Sequence, residues 1–533
     1  MAEAAFPTRS YPYRWRNPAE GPVFTDAVPA GKFLKFFLGR DQPPGREVTS
    51  EERGQLADAF VRLVLDTSRF PTTLVDLLAI VDEWNDRPAG LPQQLSFVVA
   101  EGGQVPWSPQ TSHVRRGFRL VVARGRGNRF SLFVSTAAPT DSATIFLQVL
   151  AWDPEAGAFQ FYERRGGSWL WAGSSWQALE EDTRGQGPFD SHINGGMVMK
   201  ELELPWLHWH SMAQTITPEV LPPGDPLRNE PLFLSRAGAE RLEAIVKNNV
   251  SQWTQSRLSR EVKQDGSIER PDWLMRQILE TSAPTIASSP QTYAGDEDAP
   301  ISIPLTFFLD KVGLLDVAAL DLNPSFAVER GRYQEMAGQI GLAVRDTRSN
   351  PPVRIEGDTF FAWPVPEPGI EDLALLKALV RKGVLSKRFV AALLMVDFPN
   401  PVGSPRRARF MQYVPAGAGA GTESIEAQML RTLEAAEWPD ASPELELLEN
   451  ARLSDAQWPA EYAQRLRGYF EAVEARLATE EGLRDFMLLA DSRRREFRRR
   501  PIAEFDMTLP WVDVGQEAAL LEMTQDARVV KKG

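Results

Sequence analysis

The chain has 533 residues, too many for one hydrophobic core, because cores stop growing at about 250–300 residues and larger chains split into domains. Hydrophobic residues at 43% and charged residues at 25% are globular values and exclude a mainly disordered chain. A net charge of −13 argues against general nucleic-acid binding, and the lack of cysteine excludes disulfides, zinc thiolates, cysteine-ligated iron–sulfur clusters, a thiolate nucleophile and covalent c-type haem.

The first fifty residues, rich in Pro, Gly and aromatics as in Tyr11–Trp15, read as an extended arm. From Ser50, taken as an N-cap, Leu56, Phe60, Leu63 and Val64 recur at helical spacing, and Leu74, Leu77, Leu78 and Val81 mark a second helix. From about Leu95 the period changes to two. Segments at Phe118–Val122, Phe130–Val134, Thr144–Trp152, Phe159–Glu163 and Trp169–Trp171 predict strands. The turn-forming glycines between them predict antiparallel hairpins, in a sheet or a small barrel.

Proline-rich residues 218–226 read as a domain boundary. Beyond them helices are expected: one capped by Ser235 with Leu242, Ile245, Val246, Val250 and Trp253 on a face, and another over Asp272–Leu279. Ser282–Pro300 reads as a loop. Asp372–Val380 with Gly383, then Lys387–Met395 capped by Ser386, are further helices. The Gly/Ala run at 416–421 reads as a flexible tether or exposed loop, followed by helices through Ile425, Met429 and Leu433 and from Tyr462 to Leu477. Six arginines in Arg493–Arg500 read as a solvated helix face, with an anion- or partner-binding patch as the alternative. The expected fold is α+β: an antiparallel β-rich domain over 1–217, a mixed, largely helical domain over 218–415 and a helical region over 416–533.

Chemistry concentrates in one stretch, Asp190 to His210, which holds three of the four histidines. A strand over Met197–Leu204 that recovers after Pro205 puts Trp206, His208 and His210 on one face. Gly195-Gly196 can turn Asp190 and His192 toward them. His192, His208 and His210 are therefore the expected metal ligands, with Asp190 completing or orienting the set and Glu201 or Glu203 as a substitute carboxylate. Iron, copper, manganese or zinc suit such donors, and a haem with one axial histidine is a variant. Trp169, Trp171, Trp206 and Trp209 would line the pocket. The competing reading is that the His-x-His pair and the tryptophans are satisfied core residues. Asp397 and Asp358 are secondary acid/base candidates that also fit turns or caps.

These features predict a metal-dependent oxidase or oxygenase acting on a small organic or peptidyl substrate. The rival is a non-catalytic ligand-binding or assembly protein. A metal-independent hydrolase ranks last, for want of a nucleophile–base arrangement. The N-terminus has no secretory pattern and the longest apolar runs, such as Val390–Val396, fall far short of the roughly 20 residues of a bilayer span, so a soluble cytoplasmic protein is expected.

Overall fold

The computed structural model describes residues 29–281 apart from 103, 104, 106, 113, 115, 141–144, 200–205, 207 and 213; then 284–287, 300–346, 353–356, 363–498 apart from 420, and 510–533 apart from 516. The fold is α+β, with one large sheet in the N-terminal half and most helices after it. Among the described residues no helix is long and apolar enough to cross a membrane.

The sheet is formed by β1 (Phe33–Lys35), β2 (Arg46–Glu47), β3 (Gln93–Glu101), β4 (Gly117–Arg126), β5 (Arg129–Thr136), β6 (Leu147–Asp153), β7 (Ala158–Arg165) and β8 (Ser168–Ser174), in the order β2-β1-β8-β7-β6-β5-β4-β3. From β3 to β8 it is the predicted antiparallel meander, with tight turns at Gly127, Gly157 and Gly166, all at positive φ. One further strand joins it from the segment before the helices: β1 pairs in parallel with β8, so the eight-stranded sheet as a whole is mixed.

Both faces are covered. After α1 (Ser50–Gly54), none of whose residues is buried, alternation sends Val98, Ala100, Leu120, Val122, Leu132, Val134 and Val149 to one face, beneath α2 (Ala59–Leu63), α3 (Leu74–Asp82) and α4 (Pro231–Leu234). Phe97, Val99, Ala123, Phe133, Leu150 and Phe161 point the other way, onto α5 (Ala239–Glu261) and Trp273 of α6 (Pro271–Glu280). A third core runs from Leu258 to Ala527 through α7 (Arg330–Gln339), α8 (Ile370–Arg381) and α9 (Lys387–Met395), then, past the short α10 (Pro405–Ala408) that packs on α6, through α11 (Ile425–Glu434), α12 (Pro443–Ala451), α13 (Trp458–Leu477) and α14 (Glu480–Arg498). The sheet's two cores include residues from Ile216 to Phe233 on one face and from Ala239 to Trp253, with Trp273, on the other, and the third core holds residues on both sides of 415.

Several local expectations change. The single helix expected after Ser50 is two: Thr49 caps α1 in a capping box with Glu52, and Asp58 caps α2 by accepting from the Phe60 and Val61 amides. Ser235 ends α4 instead of starting α5, which begins after Gly238. The Gly/Ala run is pinned, because Ala418 and Ile268 exchange both backbone hydrogen bonds, at 3.0 and 2.8 Å. Ser386 caps α9 as predicted, accepting from the Phe389 amide at 3.1 Å.

The arginine-rich run is not a solvated face over its described part. Arg494 and Arg495 are 0% and 5% exposed. The first donates to the carbonyls of Pro510 and Pro364, the second to Asp491 and the Ala518 carbonyl. Arg493, half-buried, ties α14 to the Phe307 and Pro399 carbonyls. These are struts inside the third core. The side chains of Arg498, Arg499 and Arg500 lie outside the described residues, as do Tyr11–Trp15, Asp358 and most of Ser282–Pro300.

Candidate functional site: the 190–210 stretch and its polar seam

The stretch opens with a short 3-10 turn, Gly187–Asp190, that seats Phe189 on Phe161 of β7 at 5.3 Å between ring centroids. Asp190 is half-buried at the end of that turn. His192 stacks edgewise on Phe161 at 5.1 Å, and its Nδ1 lies 2.8 Å from the Gly196 carbonyl. A carbonyl only accepts, so the proton is on Nδ1. His192 therefore belongs to the sheet face covered by α5.

The chain then crosses to the other end of the sheet. Residues 197–199, which open the expected strand Met197–Leu204, have no strand structure, and Lys200 to Pro205, including Glu201 and Glu203, lie outside the described residues. Trp206 adopts a left-handed φ of 47°, costly for a bulky residue, and the Trp209 amide closes a turn onto its carbonyl at 3.2 Å. Beyond this turn the chain lies along β3: Ala100 donates to the His208 carbonyl at 2.7 Å, His210 donates to the Val98 carbonyl at 2.9 Å, and Trp209 pairs with Val99. The stretch thereby covers the edge of β3. The segment after α4 covers it too, through the Ala237 amide on the Ser96 carbonyl at 2.7 Å.

This register decides the faces. Trp209 shares the face of Val99, while His208 and His210 share that of Ala100 and Val98, the opposite side of the sheet from His192. Phe161, on which His192 packs, is four strands from β3, roughly 20 Å at about 4.8 Å per strand. His208 is 2% exposed. His210 is half-buried, and its Nδ1 accepts the Ile216 amide at 3.1 Å, which places its proton on Nε2. Burial, then the nearby Arg236, holds its pKa below the usual imidazole value. Metal ligation through Nδ1 would displace the Ile216 amide. Ligation through Nε2 would move the proton to Nδ1 and set it against that same amide.

The described residues thus do not bring His192 to His208 and His210, and among them no three His, Cys, Asp or Glu side chains form a group that could hold a metal ion. The tryptophans also divide. Trp169 and Trp171 lie with the core under α2 to α4, whereas Trp206 and Trp209 lie with the core under α5. The indole N–H of Trp169 is bonded to the Pro71 carbonyl at 3.0 Å, and that of Trp171 to Gln160 Oε1 at 3.0 Å. Trp206 does not share a face with the two histidines, because the turn at 206 changes the phase of the alternation.

The stretch does build a polar seam against the helices. Gly195, at φ +76, lies so close to Ser175 that a Cβ would meet its carbonyl oxygen at 2.6 Å, and Ser175 Oγ donates to the Gly195 carbonyl at 2.8 Å. Trp253 of α5 donates its indole N–H to the Asn194 carbonyl at 2.9 Å. The Glu371 carboxylate, at the start of α8, sits against Gly196, where a Cβ would meet it at 2.3 Å. Behind it, Arg257 of α5, 2% exposed, donates to Gln277 Oε1 and to the Trp273 carbonyl. Gln277 in turn donates to Asp372 Oδ1 at 2.9 Å.

Burial lowers the Arg257 pKa to about 10, against the opposing pull of Glu371, Glu261 and Asp372. It therefore remains a cation at neutral pH. The acids Glu371 and Asp372 also suit the positive end of α8. This arrangement locks three helices around a glycine turn. Asp397, for its part, is a turn residue at φ 54 that accepts from Asn400 Nδ2 at 2.7 Å and from Ser404. No family model, curated protein or solved structure matches the chain.

Proposed function

We propose that this chain is a non-catalytic binding or assembly protein, and that its 190–210 stretch is a structural clasp instead of a redox metal centre. The observation that carries the reading is the placement of the imidazoles. His192 lies on one face of the sheet, while His208 and His210 lie on the other, and the His210 lone pair is occupied by the Ile216 amide. The net charge of −13 disfavours nucleic acid and supports a small organic ligand or another protein as the partner.

Elemental analysis tests the reading against a metal-dependent oxidase, a haem protein included. The purified chain, before and after incubation with iron, copper or manganese, is expected to hold well under one metal per chain and to show no Soret band. The His208→Ala/His210→Ala double variant is expected to match it in metal content. Near-stoichiometric metal, lost in a folded double variant, would refute the proposal and restore the oxidase or oxygenase reading.

A further inference from the structure

Where α2 meets the sheet, two carboxylates are fully buried. Asp58 and Asp153 are both 0% exposed. Asp58 Oδ1 accepts the Phe60 and Val61 amides at 2.9 and 3.2 Å, and its Oδ2 lies 2.5 Å from the Tyr162 hydroxyl. Asp153, on β6, holds the preceding residue: its Oδ2 accepts the Ala57 amide at 3.0 Å and the Gln160 side chain at 3.3 Å. Its Oδ1 accepts the Glu155 and Ala156 amides, both at 2.9 Å. Two acids thus grip adjacent residues from a core that also holds Phe60, Tyr162 and Trp169.

The charges around this pair do not neutralise it. Among the described residues neither carboxylate makes an ion pair with Lys, Arg or His. The nearby cations serve other acids at the surface: Arg53 pairs with Asp66 at 2.7 Å, Arg62 with Glu155 at 2.6 Å, and Lys35 with Glu52 at 3.1 Å. Tyr162, on β7, is itself buried, and burial followed by the Asp58 charge raises its pKa well above the ordinary phenol value. It therefore stays a hydroxyl and cannot take the proton. Two carboxylates sharing a dry site favour keeping a proton on one of them.

We propose that the buried Asp58 carboxyl is a pH-sensitive latch that seats α2 on the sheet: the seating is firm while the dry site keeps Asp58 protonated and weakens when a charge must be held there without a cation, the Tyr162 and amide donors offsetting only part of that cost. Burial, which outweighs the Tyr162 and amide hydrogen bonds and is reinforced by Asp153, brings the Asp58 pKa up to about 7. A carboxyl raised on folding holds its proton in the folded state after the unfolded chain has lost it. The seating is therefore strongest below about pH 4 and weakens as pH rises to about 7, by up to roughly tenfold in the opening equilibrium per pH unit, then levels off.

Hydrogen exchange of the 57–63 amides in the full chain between pH 5 and 8, corrected for intrinsic exchange, reads this opening. The wild type is expected to open more readily by roughly tenfold per unit up to about pH 7 and then to plateau. Asp58→Asn, which keeps a cap acceptor without the charge, is expected to be flat. Tyr162→Phe removes a donor that favours the carboxylate and is expected to move the plateau to higher pH. A wild-type opening independent of pH, or an Asp58→Asn slope equal to that of the wild type, would overturn the latch. Should Asp58→Asn not fold, an unmoved plateau in Tyr162→Phe would overturn it equally.

Discussion

Gly195→Ala is expected to lower stability by about 3 kcal/mol or more, the largest effect of any single methyl added to the 190–210 stretch. A left-handed backbone costs a non-glycine residue about 1–2 kcal/mol. Here the new Cβ would also meet the Ser175 carbonyl oxygen at 2.6 Å and Ser175 Cα at 2.7 Å, atoms of backbone that cannot rotate away. Moving the turn would pull Asn194 from Trp253 and Gly196 from Glu371, so the strain spreads into the helices. Gly166→Ala is the control. Gly166 has a similar φ of +56 but nothing within 4 Å of the added Cβ, so only the conformational cost of about 1 kcal/mol is expected. Urea unfolding of the two variants beside the wild type measures the difference, and equal losses would show that the Ser175 contact does not constrain the turn.

Arg257→Met is expected to cost about 3–5 kcal/mol, the range for removing one member of a buried charged group. The methionine fills much of the volume, so the loss reports charge and hydrogen bonding and not a cavity. It takes the donor from Gln277 Oε1 and the Trp273 carbonyl and the facing cation from Glu371 and Asp372. Arg257→Lys keeps the charge, but an ammonium cannot reproduce the guanidinium fork, so an intermediate loss is expected. Arg260→Ala, one residue group further along α5, removes an exposed guanidinium that stacks on Trp176 at 4.0 Å and should cost only about 0.5–1 kcal/mol. Thermal and urea unfolding of the three variants give the ranking. A loss at Arg257→Met no larger than at Arg260→Ala would mean that the seam does not hold the helices.

The meander from β3 to β8 was legible because its strands carry a period-two pattern and the β4–β5, β6–β7 and β7–β8 turns each carry a glycine, so local chemistry and tertiary placement agree. The parallel β1 was not, since three residues from an irregular segment carry no period and gain their place only by pairing with β8. The split between α1 and α2 was missed because Leu56, Phe60 and Leu63 keep helical spacing across a break that Asp58 caps.

The candidate site shows why closeness in sequence misleads. His192 and His208 are sixteen positions apart, yet the chain between them travels from Phe161 to the far edge of β3, and the turn at Trp206 reverses the expected phase. Meanwhile the groups that do meet, Gly196, Arg257, Gln277, Glu371 and Asp372, come from distant segments.

One signal for them was present. On α5 the apolar stripe runs through Val246, Val250 and Trp253, and the next position at that spacing is Arg257. On α14 the stripe Leu483, Met487 and Ala490 continues to Arg494, which is likewise buried. An arginine on the apolar face of a helix must find acceptors inside the protein, and both do.

The most direct test of the clasp is nitrogen-15 NMR of the full chain labelled only at histidine, where four residues give a readable spectrum. The account predicts that neutral His210 is the tautomer protonated on Nε2 and titrates below the ordinary imidazole range because of its burial, that His192 carries its proton on Nδ1, and that no coordinated change follows when one equivalent of zinc is added as a diamagnetic probe. If His192, His208 and His210 instead shift together on adding zinc, the three imidazoles share a metal site and the structural clasp is contradicted.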